Sequence, residues 1–97
     1  MRLVARVDSN QREIVDALRR VGCRVLLLHR QGAGCPDILV GKAGRNVLME
    51  IKTECGELTE AEEEFMMYWP GEAHIVRSVE DALHIMREGI PCTRTQS

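Results

Sequence analysis

Apolar positions along the chain fall into alternating helical and strand-like periods. Ile14, Ala17, Leu18 and Val21 recur at helical spacing, and Asp8, Ser9 and Asn10 offer caps, so the pattern predicts a helix from Asp8 to Val21 stopped by Gly22. Arg24 to His29 is almost continuously apolar and branched, the pattern of a buried strand. A glycine-rich loop, Arg30 to Pro36, leads into two further strands, Asp37–Lys42 and Asn46–Thr53, joined through Ala43-Gly44-Arg45. Thr59 caps a second helix running to about Trp69, with Leu58, Ala61, Phe65 and Tyr68 as its inner face, and Pro70-Gly71 breaks it. Ala73–Arg77 forms a fourth strand, and Ser78 caps a last helix, Val79 to Glu88, ending at Gly89.

The order is α-β-β-β-α-β-α, with no repeat, linker or low-complexity stretch dividing it. The 97 residues therefore make one domain with a core over about 8–88, followed by a loose polar tail at 91–97. Leu39 and Leu48 mark one face of the central hairpin, and Ile38, Val40, Val47 and Ile51 mark the other. Apolar residues on both faces predict a sheet covered by helices on both sides.

Charge changes the picture more than composition does. The net charge of -2 hides a split: residues 1–52 hold ten Lys/Arg and five Asp/Glu, whereas residues 53–97 hold three and ten. A basic half beside an acidic half makes the whole-chain charge a poor guide to partners; for a nucleic-acid partner, Arg12, Arg19, Arg20, Arg24, His29, Arg30, Lys42 and Arg45 in the basic half are the candidate phosphate contacts. A single Trp, Tyr and Phe are too few for a base-stacking single-strand binder. The longest apolar run, Val25 to Leu28, is too short for a membrane span, and no secretory signal opens the chain. Four dispersed cysteines form neither a zinc knuckle nor a disulfide frame and read as reduced thiols of a cytoplasmic protein.

Candidate chemistry centres on Gly34-Cys35-Pro36-Asp37 and, one hairpin later, Glu50-Ile51-Lys52. Glu50 and Lys52 share a strand face. Whether Asp37 joins them depends on the turn. A two-residue Gly44-Arg45 loop, suited to a type II′ turn, sets 37 opposite 52 and brings the three together; a three-residue loop turns Asp37 away unless a bulge intervenes. Two carboxylates and an ammonium on one rim suit phosphodiester hydrolysis, in which carboxylates hold a hard cation. On that chemistry the Ile51 carbonyl is a further ligand, Glu13 on the first helix is another candidate, and Lys52 orients water or stabilises charge. Glu50 and Lys52 interrupt an otherwise apolar strand, which an ordinary solvated face does not explain. The flexible glycine loop beside Asp37 suggests close approach of a phosphate chain. The acidic run Glu62-Glu63-Glu64 reads as a solvated helix face.

In order, a helix with Glu13, a strand, Gly34-x-Pro36-Asp37, Glu50-x-Lys52 and Gly56-x-Leu58-Thr59 resemble the PD-(D/E)XK nuclease superfamily, and more narrowly its stand-alone VRR-NUC domains of phages and bacteria. The likeness extends to Ile75-Val76-x-Ser78-Val79-Glu80-Asp81. It implies a single restriction-endonuclease-like α/β core, an αβββαβ mixed sheet with flanking helices. It also implies a Mg²⁺- or Mn²⁺-dependent endonuclease acting on DNA, including Holliday junctions, as a homodimer. By position, Glu13, Asp37, Glu50 and the Ile51 carbonyl would hold the metal and Lys52 would be the catalytic lysine. The chain departs from the family at Glu57, where Lys is frequent, and at Glu62, where Gln is frequent. Such an enzyme belongs in the cytoplasm of a bacterium or phage-infected cell. The competing expectation is a nuclease-derived binding or assembly module with little turnover.

Overall fold

The computed structural model describes residues 2–28 and 31–88. Its elements are α1 (Arg2–Arg20), β1 (Arg24–Leu27), β2 (Ile38–Lys42), β3 (Arg45–Ile51), α2 (Glu60–Tyr68), β4 (Glu72–Val76) and α3 (Val79–Glu88). The strands form one mixed sheet in the order β1-β2-β3-β4. The first two pairings are antiparallel, and β3 with β4 is parallel, reached through α2. His29, Arg30 and the tail 91–97 lie outside the described residues. Among those described, no helix is long and apolar enough to cross a membrane.

α1 begins six residues earlier than the capping pattern suggests, so Asp8, Ser9 and Asn10 sit inside it. Asn10 shows why a cap-type residue is tolerated there: its amide Nδ2 donates to the Lys52 carbonyl, 3.1 Å away. α2 starts as its sequence predicts. Thr59 Oγ1 accepts the Glu62 N–H, and the Glu62 carboxylate accepts the Thr59 N–H, a complete capping box.

The core lies on one face of the sheet. Ile38, Val40, Val47, Met49 and Ile51 project from it into a cluster with Ile14, Val15 and Leu18 of α1 and Ala82 and Met86 of α3. The predicted inner face of α2 does not form. That helix buries none of its residues, and Tyr68 is 72% exposed. Its amphipathicity is weak because Met66 and Met67 fall on the side away from Ala61, Phe65 and Tyr68, and α1 and α3 alone carry the packed layer.

The hairpin turn decides where the chemistry falls. Lys42 pairs with Arg45, leaving Ala43-Gly44 as the two-residue loop, with φ of 51° and 82°. Two successive positive φ values mark a type I′ turn, in place of the II′ turn built on Gly44-Arg45. The register consequently slides by two residues. Ile38 pairs with Met49, so Asp37 comes level with Glu50 instead of Lys52. A two-residue shift preserves facing, and Asp37, Glu50 and Lys52 share the sheet face opposite the core.

Gly34 also has a different task from the one its flexibility suggests. Its φ is 73°, and a Cβ there would fall on the backbone of Ala61 and Glu62. The glycine loop thus lies directly against the first turn of α2, whose Glu62 reaches Lys52 at the acid end of the sheet.

Candidate active site

Three elements build the site. The Asp37 carboxylate, just before β2, is fixed by Oδ2 accepting the Ile51 N–H at 2.8 Å. Its own N–H donates to the Met49 carbonyl at 3.1 Å, and its carbonyl accepts the Leu28 N–H at 2.9 Å. Glu50, on β3, is 4% exposed. Lys52, just past β3, reaches Glu62 Oε1 of α2 at 2.8 Å and Glu50 Oε2 at 3.6 Å. The loop following Lys52 is tied down by Arg77, whose guanidinium donates to the Thr53 and Gly56 carbonyls, each at 2.7 Å.

The electrostatics are those of three crowded acids and one base. Burial, followed by the charges of Asp37 and Glu62, pushes Glu50 up to about 8. Asp37 is raised as well, chiefly by burial, although the Ile51 N–H and Lys52 oppose the rise. Burial alone would raise Glu62, but hydrogen bonds from Lys52 and the Thr59 N–H outweigh it and hold that carboxyl below its usual range. Burial would lower Lys52, yet its bond to Glu62 and the charges of Glu62 and Glu50 hold it above. Even the Cys35 thiol is raised, by burial and then by the negative charges of Glu50 and Asp37. One ammonium, already committed to Glu62, does not neutralise this end of the sheet.

Structure and sequence agree on Asp37, Glu50 and Lys52 as neighbours and diverge around them. Glu13 is exposed on α1, and among the described residues no three His, Cys, Asp or Glu side chains gather as a metal-binding group. The α1 side chain tied to the site is Asn10, through the Lys52 carbonyl. Glu62, read as part of a solvated run, is a member of the site. Its signal was the Thr59-x-x-Glu62 capping box, which aims an N3 carboxylate back toward the helix start.

The basic candidates separate too. Arg12 is exposed on α1. Lys42 Nζ donates to the Val21 carbonyl at the end of α1, at 2.7 Å. Arg45 pairs with Glu72 and donates to the Ile85 and Met86 carbonyls of α3. Both lie at the turn end of the hairpin, about 16 Å from the acids at roughly 3.3 Å per strand residue, and both serve helix termini.

No protein-family profile and no curated protein matches the chain. A solved structure described as a VRR_NUC domain does, with a TM-score of 0.67 over 87% of this chain and 97% of that one, at 19% identity. The chain has the fold of a VRR_NUC domain. The ordered motifs and the backbone therefore point the same way. Within the VRR_NUC fold, the acid pair occupies the end of the β2–β3 hairpin away from its turn, near Glu62 at the start of α2.

Proposed function

We propose that this chain is a metal-dependent, structure-selective DNA endonuclease that hydrolyses phosphodiester bonds, works as a homodimer on branched DNA, and acts in the cytoplasm of a bacterial or phage-infected cell. The observation that carries the reading is the crowding of Asp37 and Glu50 beside Lys52 at one end of the sheet, in a chain with the VRR_NUC fold.

The donor set fits a hard cation. Two mutually repelling carboxylates with a raised affinity for protons have the same reason to accept Mg²⁺ or Mn²⁺, which favour oxygen ligands and keep several waters. Asp37 and Glu50 would hold the ion, with the Ile51 carbonyl as a further ligand and Glu13 as an outer acid on α1. Bound there, the ion would polarise the scissile phosphate and lower the pKa of a bound water. The chain's own groups do the rest. The Ile51 N–H keeps the Asp37 carboxylate in one orientation. Lys52, on the same face, orients the attacking water and stabilises charge on the phosphate. Glu62 holds the ammonium through its ion pair at 2.8 Å.

Incubating four-way-junction and linear DNA with the protein and Mg²⁺ or Mn²⁺ tests this. Cleavage is expected for the native chain, with a loss of at least ~10²-fold in Asp37→Asn, the scale on which a positioned charged group contributes. Cleavage undiminished in that variant would refute the assignment. A binding or assembly module with little turnover is favoured by one observation: Lys52 already spends its charge on Glu62. Calorimetry separates the two, since the module predicts no Mn²⁺ binding and the nuclease predicts binding that Asp37→Asn abolishes.

The homodimer draws support from α2, where Met67 and Tyr68 are each 72% exposed beside the stacked Phe65–Trp69 pair. Sedimentation is expected to give a dimer at micromolar concentration, reduced to monomer by Met67→Glu; a native monomer at high micromolar concentration would count against it.

A further inference from the structure

We infer that the arginine-lined flank between α1 and the free edge of β1 is the surface along which the sugar–phosphate backbone of substrate DNA runs away from the acid pair. The inference deepens the nuclease reading and rests on it. β1 is an outer strand of the sheet, and α1 lies beside it. Two adjoining clefts open between them. One, of about 280 Å³, is lined by Gln11, Arg12, Val15, Asp16, Arg19 and Leu27. The other, of about 550 Å³, is lined by Arg19, Gly22, Cys23, Arg24 and Val25. Arg19 belongs to both, so three guanidiniums face one carboxylate, Asp16, along a continuous strip.

Both walls of this strip begin at the site. On the helix side Asn10 bonds the Lys52 carbonyl, and on the strand side Leu28 bonds the Asp37 carbonyl. A backbone leaving the acid pair along this flank meets Arg12, then Arg19, then Arg24. Seven helical residues separate the first two, about 10 Å at 1.5 Å per residue, far enough apart to meet different phosphates of one strand. Arg19 is held over the strand edge by one bond to the Val25 carbonyl, at 3.2 Å, which uses one of its five N–H donors. A favourable place in the last turn of α1 accounts for Arg19 alone, since Arg12 lies in mid-helix and Arg24 lies on β1. Lys42 and Arg45, which serve helix ends, are not part of the strip.

The test is binding of a labelled four-way DNA junction in EDTA across a salt series, for the native chain, Arg19→Gln/Arg24→Gln, Arg19→Lys, and Arg87→Gln as removal of a single charge on α3, away from the flank. The double variant is expected to bind at least ~10-fold more weakly at 0.15 M salt, with the slope of log K against log salt smaller by about 1.8, the value for two lost phosphate contacts. Arg19→Lys should keep the native slope and Arg87→Gln the native affinity. An unchanged slope in the double variant, or an equal loss in Arg87→Gln, would overturn the proposal. Tighter native binding to an RNA duplex, weakened in the same way, would overturn DNA as the occupant. EDTA keeps the two readings apart: cleavage with no effect of the arginines removes the flank alone, whereas arginine-dependent binding without turnover in Mg²⁺ removes the catalytic reading alone.

Discussion

Glu50→Gln is expected to abolish metal-dependent cleavage and, in the metal-free protein, to raise stability at alkaline pH. The Glu50 carboxyl titrates at about 8 in the folded chain against 4.5 for the free group, because burial and the Asp37 and Glu62 charges disfavour its ionised form. The folded state therefore binds this proton more tightly than the unfolded state does. Its contribution to stability is complete below about pH 4.5 and is lost as pH rises through 8. At 1.36 kcal/mol per pKa unit, the change is on the order of 5 kcal/mol. The raised Asp37 carboxyl acts in the same direction. Glutamine is neutral throughout and nearly isosteric, so the variant should lose most of this slope, match the native chain near pH 5 and exceed it at pH 8.5. Denaturant midpoints across pH, with EDTA present, measure this. Mn²⁺ should stabilise the native chain at pH 8 and leave Glu50→Gln unmoved. A native chain equally stable at pH 5 and pH 8.5 would show that Glu50 is not held protonated.

The second large effect is expected at Lys52. Lys52→Met removes the ammonium paired with Glu50 and Glu62, leaving largely buried acids without that counter-charge. Breaking such a pair from one side costs about 3–5 kcal/mol when burial is complete. Partial burial here, together with the freedom of Glu62 to take up a proton, sets the expected loss nearer 2 kcal/mol at pH 7.5. Cleavage should fall by at least ~10³-fold, the scale for removing a group that stabilises charge on the phosphate. Pairing it with Glu62→Gln separates the two consequences. The double variant should regain most of the stability, because the unpaired acid is gone, and none of the cleavage. Cleavage surviving in Lys52→Met, or recovering in the double variant, would remove Lys52 from the reaction.

These expectations explain why the site strains the fold it occupies. The sheet end carries more negative charge than Lys52 neutralises, a stability cost that a bound cation would relieve. Asp37 is half-buried and Glu50 buried, and Glu62 at the start of α2 adds its charge to theirs. Glu62 supplies the connection between α2 and the lysine. An apolar residue at position 62 would leave the ammonium with Glu50 alone, at 3.6 Å.

Much was legible in the residues themselves. Local chemistry determined the element order, the Thr59 cap, the break at Pro70-Gly71 and the shared face of Glu50 and Lys52, since period, capping and turn residues act over a few positions. Parity along the hairpin placed Asp37 with them once a two-residue turn was assumed. The turn's identity was not legible, because Ala43-Gly44 and Gly44-Arg45 both offer a glycine, and only pairing across the whole ladder chose the first. Long-range contacts likewise assigned Gly34 to packing against α2, Arg45 to the end of α3 and Glu62 to Lys52. Sequence thus determined that Asp37, Glu50 and Lys52 share one face, the face proposed to carry the chemistry. Tertiary structure decided their partners, because a long charged side chain can reach any of several backbone or acidic groups, and only the packing of distant elements settles which lies within 3 Å.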